Sequence, residues 1–395
     1  MLNKVPIIGC DIAFYAPLKA PDHLVPSGDR KIARLFVQAL QQAGFTVQLA
    51  SRLRSFDRRG EPLRQQRLMA IASREAARIL RRWQKQQYRP SAWFSYHLYY
   101  KAPDLVGPLI CRQLNIPYIV AEASWASKRA TGPWSLFHRQ VDIALQQACK
   151  VICINPVDKI ALDSYYLALQ RPASQLELLK VFIAPKVHSH ISEPATTRQQ
   201  LASQYGLNVT QPWLIVIAMM RSGDKHHSYQ LLAETSAKLQ QQCQILIVGD
   251  GEMASAVKSL FANQNNILFA GTLDNQQIQL LLPHFELLIW PAINEALGMI
   301  FLEAQQAGVA VVAGRQGGVD SLVADGQTGR LITATDTNAM ASAVDSLLAN
   351  PPLLKNMQRA AAAYVLKQHS LATAARQLQK IIANATNSQT LEENR

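Results

Sequence analysis

The feature that most constrains this chain is an alternation of short apolar runs with longer stretches of helical period, and it occurs twice. In the first half, strand-like runs stand at Pro6 to Tyr15, Phe45 to Ala50, Ala92 to Tyr96, Pro117 to Ala121 and Val151 to Ile154. Between them the spacing predicts helices over about 31–43, 63–88, 104–114 and 134–148. The first has Ser27 or Asp29 as its cap and Ile32, Leu35, Phe36, Ala39 and Leu40 as its apolar face. Strand, helix, strand with short links is the unit of a parallel sheet, because parallel neighbours need a crossover connection.

The pattern lapses near 184–195, where Pro185, His188, His190 and Pro194 interrupt it, and a linker is expected there. It then resumes with strands at Trp213 to Ala218, Gln244 to Val248, Ile267 to Ala270, Leu287 to Trp290 and Ala310 to Ala313. Helices are expected at about 196–205, 226–240, 252–262, 274–283, 298–307, 318–324, 337–349 and 352–383. The 395 residues thus divide into a first α/β domain over 1–190 and a second over 191–366. Residues 367–395 are expected as a C-terminal helix returning to the first domain, with a loose tail. Two doubly wound sheets in tandem imply a cleft, and such sheets take ligands beyond the carboxyl ends of their strands.

Several classes fall away on composition. An apolar share of 49% and a charged share of 17% suit globular cores rather than disorder. No stretch has the roughly 18 apolar residues of a spanning helix, and the first apolar run carries Asp11 and lacks a cleavage signature. The five cysteines, Cys10, Cys111, Cys149, Cys153 and Cys243, are scattered and form no framework, so a cytoplasmic location is expected. The charge is uneven. Residues 1–200 hold 28 Lys and Arg against 13 Asp and Glu, whereas 201–395 hold 12 against 14, so the first half carries the whole surplus behind the net +13.

The densest chemistry lies in the second half, in Trp290-Pro291-Ala292-Ile293-Asn294-Glu295-Ala296-Leu297-Gly298-Met299-Ile300-Phe301-Leu302-Glu303. A strand ends at Trp290, a loop carries Glu295, and a helix beginning near Gly298 puts Glu303 on its second turn. The open N–H groups of Ala296, Leu297, Gly298 and Met299 suit a phosphate, and the glutamates suit sugar hydroxyls. Two other loops follow strands toward the same side. Met219 to Lys225 offers Arg221 and Lys225 on a flexible turn, and Val248-Gly249-Asp250-Gly251-Glu252 allows a tight turn into a helix. Alone, the glycine turn is an ordinary connection, the cations are surface charges and Glu303 is a helix-surface residue. Their shared placement at successive strand ends gives them weight.

With these residues the chain resembles glycosyltransferase family four, of the GT-B fold: α/β, two doubly wound Rossmann-like domains facing a central cleft. Glu295 to Glu303 matches that family's Glu-x7-Glu motif. Leu302 to Val312 resembles its "LEAMAAGxPVV" segment, and Gly317-Gly318-Val319 with Asp325 to Gly329 resembles "GGxxE…DGxTG". Pro26-Ser27-Gly28-Asp29 falls where the family keeps its first glycine loop. The resemblance implies transfer of a sugar, with retention and without a metal, from a nucleotide sugar to an acceptor hydroxyl. The nucleotide sugar, UDP- or GDP-linked, is a substrate, and no cofactor is implied. Glu303 would hold the ribose, Glu295 the sugar, and Arg221 and Lys225 the diphosphate. Gly28, Gly249 and Gly251 would line the donor, and Leu273 would lie near the base. No Asp-x-Asp occurs in the chain, in keeping with metal independence.

The chain departs from the family in two places. His226 stands where a glycine usually follows the lysine, and Ala123 stands where a histidine usually follows the fifth strand of the first domain. Glu122, Ser124 or His97, at the end of the fourth strand, would substitute as acid or base. Two other readings remain open: a partner subunit that binds sugar nucleotides without turnover, and an epimerase on the same fold.

Residues 52–89 hold twelve basic residues against Asp57, Glu61 and Glu75. Helical spacing of Arg74, Arg78, Arg81, Arg82 and Lys85 suits a solvated helix face. The surplus also suits an anionic membrane surface, with a peripheral place at the inner membrane face, or an anionic acceptor, carbohydrate or lipid-linked. No nucleic-acid motif accompanies it, so no specific nucleic acid is expected. Trp93 and Tyr96 to Lys101 are aromatic enough for sugar stacking, although core packing accounts for about half of such side chains.

Overall fold

A computed structural model of the chain describes residues 11–25, 27–185, 197–295 and 297–393. The structure divides into two units, Met1–Lys180 with Leu371–Arg395 and Val181–Ser370.

Unit 1 runs β1 (Asp11–Tyr15), α1 (Gly28–Gln42), β2 (Thr46–Leu49), α2 (Pro62–Lys85), β3 (Ala92–Leu98), α3 (Gly107–Leu114), β4 (Tyr118–Ala123), α4 (Ser135–Gln147), β5 (Lys150–Cys153), α5 (Pro156–Ala168) and β6 (Leu176–Leu178). The sheet order is β2-β1-β3-β4-β5-β6, parallel throughout. Ile12 to Tyr15 and Trp93 to Phe94 are wholly buried, because helices cover both faces of such a sheet and its central strands read as unbroken apolar runs. The expected apolar face of α1 is its buried face, and Ser27 is the cap, its hydroxyl accepting from the Arg30 N–H.

Unit 2 runs α6 (Arg198–Tyr205), β7 (Trp213–Ile217), α7 (Asp224–Ser236), β8 (Gln244–Val248), α8 (Ala254–Leu260), β9 (Ile267–Gly271), α9 (Asn275–Leu281), β10 (Leu287–Trp290), α10 (Met299–Gln306), β11 (Ala310–Gly314), β12 (Gly329–Ile332), α11 (Thr337–Leu348) and α12 (Pro351–Gln368). Its order is β12-β11-β10-β7-β8-β9, again parallel. The last helix, α13 (Leu371–Glu393), belongs to unit 1 and packs on α1, with Leu378 and Ile382 buried.

Each sheet has a point where its winding reverses. In unit 1 it lies between β1 and β3, and in unit 2 between β7 and β10. A crevice opens there at the carboxyl ends, since the loops on either side depart in opposite directions.

The structure corrects several expectations. Two strands, β6 and β12, and one helix, α5, join the predicted set. The single helix expected over 352–383 is broken at His369 and Ser370. Ile183 docks there, its N–H donating to the His369 carbonyl at 2.9 Å. The expected helix at 318–324 is a short 3-10 turn, Val319–Ser321. His97 is the last residue but one of the third strand rather than the end of the fourth, and Ala123 is the buried last residue of the fourth rather than a residue beyond the fifth. Pro6 to Cys10, Pro26, most of the expected linker with its boundary at 190, and Ala296 lie outside the described residues.

Candidate active site

In unit 2 the reversal point brings Lys225 and Glu295 together. Lys225 is the second residue of α7, so it stands on a helix rather than on the flexible turn expected for it. Its ammonium forms an ion pair with Glu295 and lies 5.5 Å from the centre of the Trp290 ring. The loop that carries Glu295 is tied to α7 at two further points. The Ile293 N–H donates to Ser228 Oγ at 3.1 Å, and the Asn294 amide donates to Asp224 Oδ1 at 3.0 Å. Backbone angles tighten the loop further: Ala292 and Asn294 take φ of 59° and 49°. Gly298 takes φ of 45°, and a Cβ on it would meet the Phe301 ring at 2.6 Å. Glycine is needed there, and again at Gly317, where a Cβ would lie 2.2 Å from the Glu295 carbonyl oxygen.

The remaining loops of this end interlock. Met220 N–H donates to the Asp250 carbonyl at 3.0 Å, and Met253 N–H to the Met220 carbonyl at 2.9 Å. A Cβ on Gly249 would stand 1.9 Å from the Ala218 carbonyl oxygen, and one on Gly251 2.4 Å from that of Met220. The Ser222 hydroxyl and N–H both donate to Glu252, at 2.8 and 3.1 Å, and these bonds lower the pKa of its carboxyl. Arg221 projects exposed from this joined pair of loops. Glu303 lies half-exposed on the second turn of α10, and Leu273 half-buried between β9 and α9. The first amides of α10, including that of Met299, have no carbonyl one turn earlier in the helix, and Gly298 and Leu297 precede them.

Unit 1 has its own charged pair at its reversal point. His97, at the end of β3, holds Asp29 of α1 with Nδ1 to Oδ1 at 2.8 Å. The expected Gly28 is the first residue of α1, beside Asp29. Burial works against a charge on His97, but the Asp29 hydrogen bond and the Glu122 carboxylate prevail and raise its pKa. Asp29 is lowered in turn, chiefly by that hydrogen bond. Glu122 is driven up by burial, against the pull of His97, and among the described residues its Oε2 has no hydrogen-bond partner. Asp158, on α5, is also raised by burial and accepts from Ser124 Oγ at 3.0 Å. His97 and Glu122 take φ of 64° and 57°, a region that costs a non-glycine residue of order 1–2 kcal/mol. His97, Glu122 and Ser124 are legible in the sequence, whereas Asp29 and Asp158 are not legible there as their partners. Their place in the first turns of α1 and α5 was the available signal.

Two parallel six-stranded sheets, each with charged groups at its reversal point, describe a sugar-nucleotide enzyme as readily as a dehydrogenase, so the comparisons with known proteins decide. Residues 198–392 match the family described as glycosyl transferases group 1. The match spans just under half of the chain. Alpha-D-kanosaminyltransferase of Streptomyces kanamyceticus is 25% identical over 290 residues, 72% of this chain and 72% of that protein. N-acetyl-alpha-D-glucosaminyl L-malate synthase of Bacillus anthracis is 30% identical over 174 residues, 43% of this chain and 44% of that protein. Among solved structures, sucrose-phosphate synthase from Thermosynechococcus elongatus superposes with a TM-score of 0.67 at 17% identity, covering 96% of this chain and 100% of that one. Anabaena HepE in complex with UDP and glucose gives 0.65 at 15% identity, covering 95% and 100%. The fold is that of the GT-B glycosyltransferases, and the chain is a glycosyltransferase. Among the described residues no helix is long and apolar enough to cross a membrane.

Proposed function

We propose that this transferase moves a sugar from a nucleotide-sugar donor to an acceptor hydroxyl, with retention at the anomeric carbon and without a metal ion. The observation that carries this reading is the pairing of Lys225 with Glu295 at the reversal point of unit 2, inside the span that matches the family. A cation and a carboxylate side by side on rigid elements suit the two ends of a sugar diphosphate: the ammonium for the phosphate, the carboxylate for sugar hydroxyls. In this reading Arg221 and the first amides of α10 share the diphosphate charge, and Glu303 accepts from the ribose. Gly249, Gly251 and Leu273 border the nucleotide.

The acceptor oxygen attacks the anomeric carbon while the bond from that carbon to the phosphate oxygen breaks. The nucleoside diphosphate leaves, and the acceptor proton passes to its departing oxygen. Glu122 and His97 bind and orient the acceptor hydroxyl in this scheme. Burial raises the pKa of Glu122, and Asp29 holds His97 beside it in unit 1.

The test is transfer or slow donor hydrolysis against a panel of UDP, GDP and ADP sugars. At least one sugar should turn over, and removal of the Lys225 cation by K225Q should slow it about 100-fold, the usual scale for one charge-stabilising donor. Binding of a sugar nucleotide without any turnover would favour the partner-subunit reading, and interconversion of free nucleotide sugars would favour an epimerase.

A second reading concerns location. On α2, Arg64, Arg67, Ile71, Arg74, Arg78, Arg81 and Lys85 follow one another at alternating steps of three and four, and all are exposed. Among the described residues only Arg78 of this row is ion-paired, with Glu75. Such a row lies along one side of a helix and suits an anionic lipid surface. Each basic residue near such a surface contributes about 1 kcal/mol, so R67Q/R74Q/R81Q should weaken sedimentation with anionic vesicles by about two orders of magnitude. A wild-type chain that stays in the supernatant at low salt would remove this reading.

A further inference from the structure

Beyond His97 a row of rings leads along unit 1. His97 meets Tyr99 at 4.9 Å between centroids, Tyr99 meets Tyr100 at 5.6 Å, and Tyr100 meets Trp134 edge-on at 5.5 Å. Two cations sit on the last two rings. Arg129 lies 4.8 Å from the centre of Tyr100 and 5.3 Å from that of Trp134, and Lys101 lies 5.7 and 5.2 Å from the same two. Among the described residues neither has a carboxylate partner, and Arg129 Nε is buried without any hydrogen-bond partner.

A neighbouring acidic residue, Asp57, is already engaged. Asp57 accepts from the backbone N–H groups of Arg59 and Glu61 at 3.1 and 2.9 Å and from the Gln65 amide at 2.9 Å. Its backbone builds the cluster instead. The Asp57 carbonyl accepts from the Trp134 indole at 3.3 Å, and its N–H donates to the Lys101 carbonyl at 2.8 Å. Gly60 completes the support, since a Cβ there would stand 3.0 Å from the Trp134 ring and 2.5 Å from Pro133 Cβ. Two like charges sharing the same two rings repel each other, and aromatic faces relieve that only in part. A folded chain that holds them together without a counter-charge has the makings of an anion site.

We infer that Lys101 and Arg129 bind an anionic group, phosphate or carboxylate, carried by the acceptor sugar, whose rings lie along the aromatic row. This deepens the transferase reading and rests on it for the word acceptor. Arg provides a forked donor and Lys a compact charge, a pairing that fits the several oxygens of such a group. Sugar rings stack on aromatic faces, so Tyr99, Tyr100 and Trp134 would hold the neutral part.

Titration calorimetry on the full chain with glucose, glucose 6-phosphate and glucuronate reads this directly. One anionic sugar or both should bind at least about tenfold tighter than glucose, and which one does separates phosphate from carboxylate. K101Q/R129Q should abolish the preference, while K101R/R129K, which keeps both charges, should retain it. The preference should survive in R221Q/K225Q, which sets aside binding in unit 2. Should K101Q/R129Q fail to fold, R129Q alone gives the same readout. Equal affinity for all three sugars, or a preference that persists without the two charges, overturns the inference. Failure of the transferase reading appears separately, as absence of nucleoside diphosphate binding to the wild-type chain.

Discussion

His97 and Glu122 sit on adjacent strands, each in a backbone conformation that side chains seldom adopt, and each carries a charge state altered by its surroundings. The strained angles turn both side chains out of the strand pattern where the sheet ends, and His97 meets Asp29 there. The pair makes stability depend on pH with a definite sign. An imidazole whose pKa is raised by folding contributes stability that is complete below its ordinary value of 6.5 and is lost as pH climbs through the folded value. Asp29, lowered from 3.8, contributes stability present above that value and lost on acidification. The melting temperature of the wild type should therefore exceed that of H97Q most between about pH 4 and 6.5, and the gap should narrow on the alkaline side. An unchanged gap from about pH 5 to 9 would show that the pair is not what His97 contributes. On the proposed function, the loss expected at Glu295 is catalytic. E295Q keeps the shape but removes the charge, and kcat/KM should fall about 100-fold with little change in unfolding. Near-wild-type turnover would remove Glu295 from the donor site.

The elements that emerged from the sequence were those with a clean period. Most strands of both sheets and the amphipathic α1 could be placed because burial on both faces leaves continuous apolar runs and burial on one face leaves a helical stripe. Leu176–Leu178 could not, because three residues carry no period. The break between α12 and α13 could not either. No glycine or proline marks His369 and Ser370, and the interruption is imposed by Val181 and Ile183, nearly two hundred residues away in sequence. Buried His369 places Nδ1 2.6 Å from the Val181 carbonyl. The same limit applies to the site. The motif from Trp290 to Glu303 was plain, but pairing Asp29 with His97 requires the strand order, and the Lys101–Arg129 cluster draws on loops without periodicity. Gly298 gives a test at this scale. In G298A the Cβ would press on the Phe301 ring at a left-handed φ, so stability should drop by about 2 kcal/mol in chemical denaturation. A variant as stable as the wild type would mean that the start of α10 relaxes freely.

For the whole molecule, unit 1 is assembled from both ends of the chain. Helix α13 supplies part of the cover for α1, so Leu378 and Ile382 are core residues of a domain whose other parts precede them by about two hundred positions or more. Alanine at either should cost about 2–5 kcal/mol of unit 1 stability and leave the nucleotide binding proposed for unit 2 as it was. Unchanged unfolding of a chain cut before Leu371 would contradict this assembly. The charge surplus also belongs to unit 1, where α2, Lys101 and Arg129 lie, and unit 2 is close to neutral.

Both sheets put an ion pair where their winding turns back, but the signs are exchanged. In unit 1 the helix after the first strand brings the acid, Asp29, and the strand across the reversal brings the base, His97. In unit 2 the helix brings the base, Lys225, and the far loop brings the acid, Glu295. The halves are thus opposite castings of one architectural plan. Under the proposed function, a hybrid built from two copies of unit 2 would own two grips for pyrophosphate and nothing to steer a proton, and two copies of unit 1 would have the reverse defect.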